Sequence, residues 1–134
     1  FNNRMSTIKV AYNKSFGGFG LSDKGLNLYN EKRLALKLDT VKNSNNIKRT
    51  DPLLIEVIEE LGKNANETCS KLAITTIPIE YKDCYVLEEY DGAEEIYCNP
   101  RNLVENKFKD LKVDDLDLNE CRDILKEIVK ILNS

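Results

Sequence analysis

The stretch Phe16-Gly17-Gly18-Phe19-Gly20-Leu21-Ser22 places three glycines within five residues, directly after an alternating run and directly before a helix-like one. A strand that feeds a glycine loop and then a helix N-terminus is a setting in which proteins bind phosphate. Free backbone N–H groups and the helix dipole both favour an anion there. Lys14 and Ser22 flank the loop, and Arg49 offers a further cation beside a helix start. Lys14, Gly17, Gly18, Gly20, Ser22 and Arg49 are therefore the candidate ligand-binding residues, for a nucleotide or another small phosphate ligand. The fingerprints that would fix the ligand are missing. A Walker loop ends in Gly-Lys-Ser/Thr, whereas here Gly20 is followed by Leu21-Ser22. A dinucleotide fingerprint begun at Gly18 has Gly20 in place but Asp23 where the third glycine belongs, and a carboxylate there repels pyrophosphate. The alternative is a structural corner, with Phe16 and Phe19 anchored in the core and the glycines at positive φ.

The 134 residues include no histidine. That removes Ser-His-Asp and Cys-His catalysis, histidine ligation of zinc and a histidine pH switch. Any enzyme built on this chain works with carboxylates, Lys, Tyr, Cys or a hard metal ion. Cys69, Cys84, Cys98 and Cys121 are too dispersed for a Cys-x-x-Cys site and read as free thiols of a reducing compartment. Glu88, Glu89, Asp91, Glu94 and Glu95 crowd one short region, but without EF-hand spacing. They read as a solvated strand edge protected from aggregation, and neither a metal nor a cofactor is expected.

The elements that must position these residues follow from pattern. Ile8, Val10 and Tyr12 alternate with Lys9 and Ala11, a first strand. Ser22 caps a helix running to about Arg33, with Leu21, Leu26, Leu28 and Tyr29 on its buried side. Residues 34–41 fit either a continuation of that helix or a short strand. In residues 50–62 Asp51 caps, Pro52 opens and Gly62 ends a helix whose stripe is Leu54, Val57, Ile58 and Leu61. Residues 71–80 are β-branched, with Pro78 at the end. Two alternating runs then flank Asp91-Gly92, a strong hairpin signal. Asn99-Pro100 closes the hairpin, residues 101–118 read as a charged connection, and a last helix runs from about Asn119 to Leu132. Four strands and three helices in this order define an α+β fold, a small and mostly antiparallel sheet covered by helices. The length fits one domain. With the strand pattern opening after Met5, that domain is residues 5–134, and Phe1–Arg4 are read as extraneous to it.

The last helix is apolar over more than one face. Ile124, Leu125, Ile128, Ile131 and Leu132 are candidates for burial against a second copy. Charge is also divided: residues 1–50 hold 10 Lys and Arg against 3 Asp and Glu, and residues 51–134 hold 10 against 20. Such a split fits a basic and an acidic face on one fold, or pairing between copies. The basic third, with Tyr12, Phe16, Phe19 and Tyr29, also admits nucleic acid as a less favoured partner. No apolar run nears the ~18 residues of a membrane span, so no membrane partner is expected. No signal-peptide pattern opens the chain, which predicts a protein that is not secreted.

The pattern YNxxxGGFGLS (Tyr12–Ser22), then RxDPxLxxxxEELG (Arg49–Gly62), the Ile77-Pro78 step and EEYDGxE (Glu88–Glu94) resembles an uncharacterised family of small proteins from large double-stranded DNA viruses, marseillevirus-like, and from phages. It spans roughly residues 8–96. The resemblance implies a viral setting, in the host cytoplasm or nucleus or in the virion, and supplies no mechanism. The expectation is a non-enzymatic homodimer, virion-associated or acting on a host protein. The alternatives are a small phosphate-ligand enzyme built on the glycine loop, and a nucleic-acid-binding accessory protein.

Overall fold

Two antiparallel ribbons and four α-helices make up the computed structural model, which describes residues 6–134. The fold is α+β. The reading of Phe1–Arg4 as extraneous lies outside the described residues. Strand β1 (Thr7–Asn13) pairs with β2 (Leu72–Pro78), in register from Thr7↔Pro78 to Asn13↔Leu72. Strands β3 (Val86–Tyr90) and β4 (Ala93–Tyr97) form a hairpin about Asp91-Gly92, where Asp91 has φ +53° and Gly92 +91°. The four strands do not join into the one sheet expected, and the reason is local. On the edge of β1 away from β2, Ala11 N–H donates to Arg49 O at 2.8 Å and Asn13 N–H to Glu94 Oε1 at 2.9 Å. A loop carbonyl and a side-chain carboxylate occupy the acceptor positions that a third strand would fill.

Successive residues of a strand face opposite ways, and β1 uses both. Ala11 packs with Leu21, Tyr29, Ile47, Leu54, Val57 and Ile58, a core under helices α1 (Asp23–Ala35) and α2 (Pro52–Leu61). Val10 packs with Ile77, Tyr81, Leu103 and Ile131, a second core under α3 (Pro100–Phe108) and α4 (Leu118–Leu132). The β1–β2 ribbon is thus covered on both faces.

The helices start where their caps say. Ser22 Oγ accepts from Gly25 N–H at 3.0 Å, and Asp51 Oδ1 accepts from Leu53 N–H at 2.8 Å. Asp117 and Glu120 close a reciprocal capping box on α4. Gly25 is buried in α1, where a Cβ would sit 3.1 Å from Leu21 Cδ2, so its small size serves packing. The ambiguous stretch after Arg33 is neither a long helix nor a strand. The α1 helix ends at Ala35, Lys37 turns at φ +62°, and Asn30 holds Val41 by two 2.9 Å side-chain bonds. The charged connection expected over residues 101–118 instead contains α3. Asn99 caps it and Pro100 opens it, the same device as Asp51-Pro52, and Leu103 is buried beneath it. No helix among the described residues is long and apolar enough to cross a membrane.

Candidate functional site

Three of the four stretches singled out in the sequence, residues 12–22, Arg49 and residues 88–94, meet at one junction. Its centre is an ion pair. Arg49 donates through both terminal nitrogens to Glu94, at 2.5 Å to Oε1 and 2.9 Å to Oε2, and the Glu94 side chain is only 4% exposed. The guanidinium also lies 3.7 Å from the centroid of the Phe19 ring. A planar fork that meets a carboxylate edge-on while stacking on an aromatic face is a geometry only arginine provides. Glu94 was expected at a solvated edge with its neighbouring glutamates. It lies on the inner face of the hairpin and is buried, because Arg49 and Asn13 N–H together satisfy it.

Asn13, fully buried, is the second element of the junction. Its Nδ2 donates to Ser15 O at 2.7 Å and to Gly92 O at 2.8 Å, and its Oδ1 accepts from Lys71 N–H at 2.7 Å. One side chain thereby ties β1, the approach to β2 and the hairpin turn together. Sequence reading attached no role to it. The only signal was a polar residue closing an otherwise apolar strand pattern.

The glycine loop is the third element. Gly17 has φ +115° and donates its N–H to Asp91 O at 3.1 Å. A Cβ on Gly17 would lie 2.7 Å from Cys69 Cβ, and one on Gly92 would lie 2.2 Å from Gly18 N. The loop and the hairpin turn are seated backbone against backbone, which side chains would prevent. A Cβ on Gly20 would meet the Glu67 carboxylate at 2.7 Å. Ser22 caps α1 and donates to Asn64 O at 2.7 Å, while its N–H donates to Ala65 O at 2.8 Å. Of the six candidate ligand residues, Gly17, Gly18, Gly20 and Ser22 thus contact other parts of the chain, and Arg49 is held by Glu94. Lys14 lines one open groove, and Arg49 borders another beside Lys82 and Tyr85. Phe19 packs on the first core as a corner residue should, but Phe16, expected beside it, is 64% exposed.

Titration follows this burial. Tyr85, near Arg49 and Glu94, has its phenol pushed up chiefly by burial, with Arg49 opposing. Burial also raises Tyr29, whose hydroxyl donates to Asp51 Oδ2 at 2.6 Å. On the outer face of the hairpin Tyr97 is pushed up to about 12, first by its hydrogen bond to Glu88. Burial holds the Cys84 and Cys98 thiols above their ordinary value, so neither resembles an activated nucleophile. All four cysteines are free thiols, and among the described residues no group of three Cys, Asp or Glu is placed to hold a metal ion.

The charge split of the sequence is folded together. Lys9 pairs with Glu59 at 2.5 Å, and Lys32 with Glu56 at 3.2 Å and Glu60 at 3.4 Å. With Arg49–Glu94, these join cations of the first 50 residues to carboxylates of the remainder.

On α4 the candidate pairing residues divide between two faces. Ile131 is buried in the second core, and Ile124 and Ile128 are half-buried. Leu125 and Leu132 face outward, at 62% and 51% exposure, in line with Leu118 and Val129.

Comparison of the chain with protein-family models, with curated proteins and with solved structures gives no match.

Proposed function

We propose that this chain is a non-enzymatic viral interaction protein, acting in the virion or on a host protein, and that it pairs with a second copy along the outward face of α4. The observation that carries the reading is that face. Leu118, Leu125, Val129 and Leu132 stand at i, i+7, i+11 and i+14, each more than half exposed, on a helix whose other side is already packed. An apolar stripe of this kind marks an interaction site more often than an idle surface. The net charge of −3 sets little repulsion between copies. The viral setting is supported by the motif resemblance.

The junction supports a non-enzymatic reading in a different way. The polar groups proposed for a phosphate ligand largely have partners within the chain. The paired Lys9, Lys32 and Arg49 likewise subtract from a basic face for nucleic acid.

Sedimentation equilibrium over a concentration series is the test. A mass approaching twice 15.4 kDa is expected, returning to one chain in Leu125→Lys, which alters the stripe without touching either core. A wild-type chain that stays single at its highest soluble concentration would refute pairing. A saturable rise in Tm with one nucleotide or phosphate sugar would favour the enzyme alternative, since a ligand of the native state must stabilise it.

A further inference from the structure

Between the end of β1 and the β3–β4 hairpin lies an open groove of about 530 Å3. Its walls are aromatic: Tyr12 from β1, Phe16 from the glycine corner and Tyr90 from the end of β3. Tyr90 is 79% exposed, and it and Phe16 are large rings left in water where burial would favour them. The bond from Gly17 N–H to Asp91 O holds the corner against the turn, so both rings border the same opening.

The groove also carries Glu88, Glu89 and Glu95. Glu88 and Glu95 are directly opposite in the hairpin register, and like charges so placed repel across the strand pair. Among the described residues none of the three has an ion-pair partner, and the one polar neighbour of Glu88 and Glu95, the Tyr97 hydroxyl, is neutral. Glu94, at the same site, is already neutralised by Arg49. Lys14 is the one cation on the wall, so negative charge is in surplus.

Aromatic faces and uncompensated carboxylates select the same chemistry. A ring face attracts an ammonium or guanidinium group and strips its water, and a carboxylate neutralises its charge. The groove is an open trough beside a hairpin and does not enclose its contents. That form suits a side chain presented by an extended polypeptide more than a small cation wrapped on all sides.

We propose that this groove docks a lysine- or arginine-bearing extended segment of a partner protein, with one cationic side chain laid between Phe16 and Tyr90 and its charge met by Glu88 and Glu95. The site needs one copy of the chain, so it stands whether or not the protein pairs along α4.

The test is titration of the full chain with a blocked peptide of alternating lysine and alanine, followed by backbone amide NMR. Saturable shifts at Phe16, Tyr90 and Glu95 are expected. Affinity should fall about tenfold in Tyr90→Ala and in Phe16→Ala, the scale of one desolvated cation–aromatic contact. The doubly substituted Glu88→Gln, Glu95→Gln chain should lose binding. All these side chains are exposed, and an unchanged Tm in each variant shows that the fold is intact. Affinity indifferent to both aromatic substitutions would overturn the proposal, leaving only general attraction to an acidic surface. So would an absence of binding, or spermine shifting these residues while the peptide does not.

Discussion

At the Arg49–Glu94 junction the carboxylate is buried and accepts from both the Arg49 guanidinium and the Asn13 N–H. Along α4 four apolar side chains stand in water. Each region inverts the usual distribution of polarity, and the difference lies in completion. Burying a charge is costly unless its partners are already in place, so a finished polar junction has its binding capacity turned inward. An exposed apolar stripe has its capacity turned outward. The junction is therefore read as what shapes the molecule, and the surfaces around it as what the molecule uses.

That contrast breaks hardest at Glu94. Glu94→Ala leaves Arg49 without its carboxylate and Asn13 N–H without an acceptor, and should cost about 3–5 kcal/mol, the range for one-sided removal of a buried pair. Thermal or urea unfolding measures it, and Glu94→Gln, which keeps an acceptor for Asn13, should lose less. A loss under about 1 kcal/mol would mean the pair behaves as a surface bridge.

Next in size is the seating of the hairpin turn on the glycine corner. Gly92→Ala forces a Cβ against Gly18 N at a positive φ and should cost about 2–3 kcal/mol. Gly18→Ala, also at positive φ but with open space around its Cβ, should cost only about 1 kcal/mol. Equal losses at the two positions would show that conformation alone, not the close approach, sets the requirement for glycine.

A smaller effect is expected at high pH. Tyr29, Tyr81, Tyr85 and Tyr97 all have raised values in the fold, Tyr97 to about 12. The unfolded chain releases these protons from about pH 10, while the native state still holds them. Their contribution to stability is thus complete below about pH 10 and is lost as pH rises through the folded values. Unfolding followed between neutral and strongly alkaline pH should show a plateau and then a decline. Stability rising above pH 10 would contradict the sign.

The smallest change in stability is expected at the other pole of the comparison. Leu125→Lys should alter the unfolding free energy of the single chain by no more than about 0.5 kcal/mol, measured at a dilution where copies do not meet. A larger loss would place Leu125 in the core and remove the contrast with Glu94.

Elements whose signals are local were legible in the sequence. Asp51, Pro52 and Gly62 bound α2 as capping chemistry requires, and Asp91-Gly92 turned where two alternating runs met. The α3 helix was missed although Asn99-Pro100 repeats the cap of α2, because its charged residues leave little apolar stripe above the buried Leu103. Glu94 could not be told from Glu88, Glu89 and Glu95 by type or neighbourhood. Its burial depends on Arg49, 45 residues earlier, and on the strand edge at Asn13, 81 residues earlier. Phe16 and Phe19 likewise looked equivalent, yet one packs under Arg49 and the other borders a groove.

The residues alone determined the chemistry that is absent and the elements that form. Without histidine no triad or imidazole ligand arises in any fold, and caps, turn glycines and apolar periods act within a few residues of where they stand. Only the tertiary structure decided which side of α4 met the core and which stayed in water, which glutamate was buried, and that a loop carbonyl and a carboxylate would occupy the edge of β1. Those outcomes depend on partners brought from distant parts of the chain, and a side chain's burial is set by whether its polar groups find partners there, not by its own type.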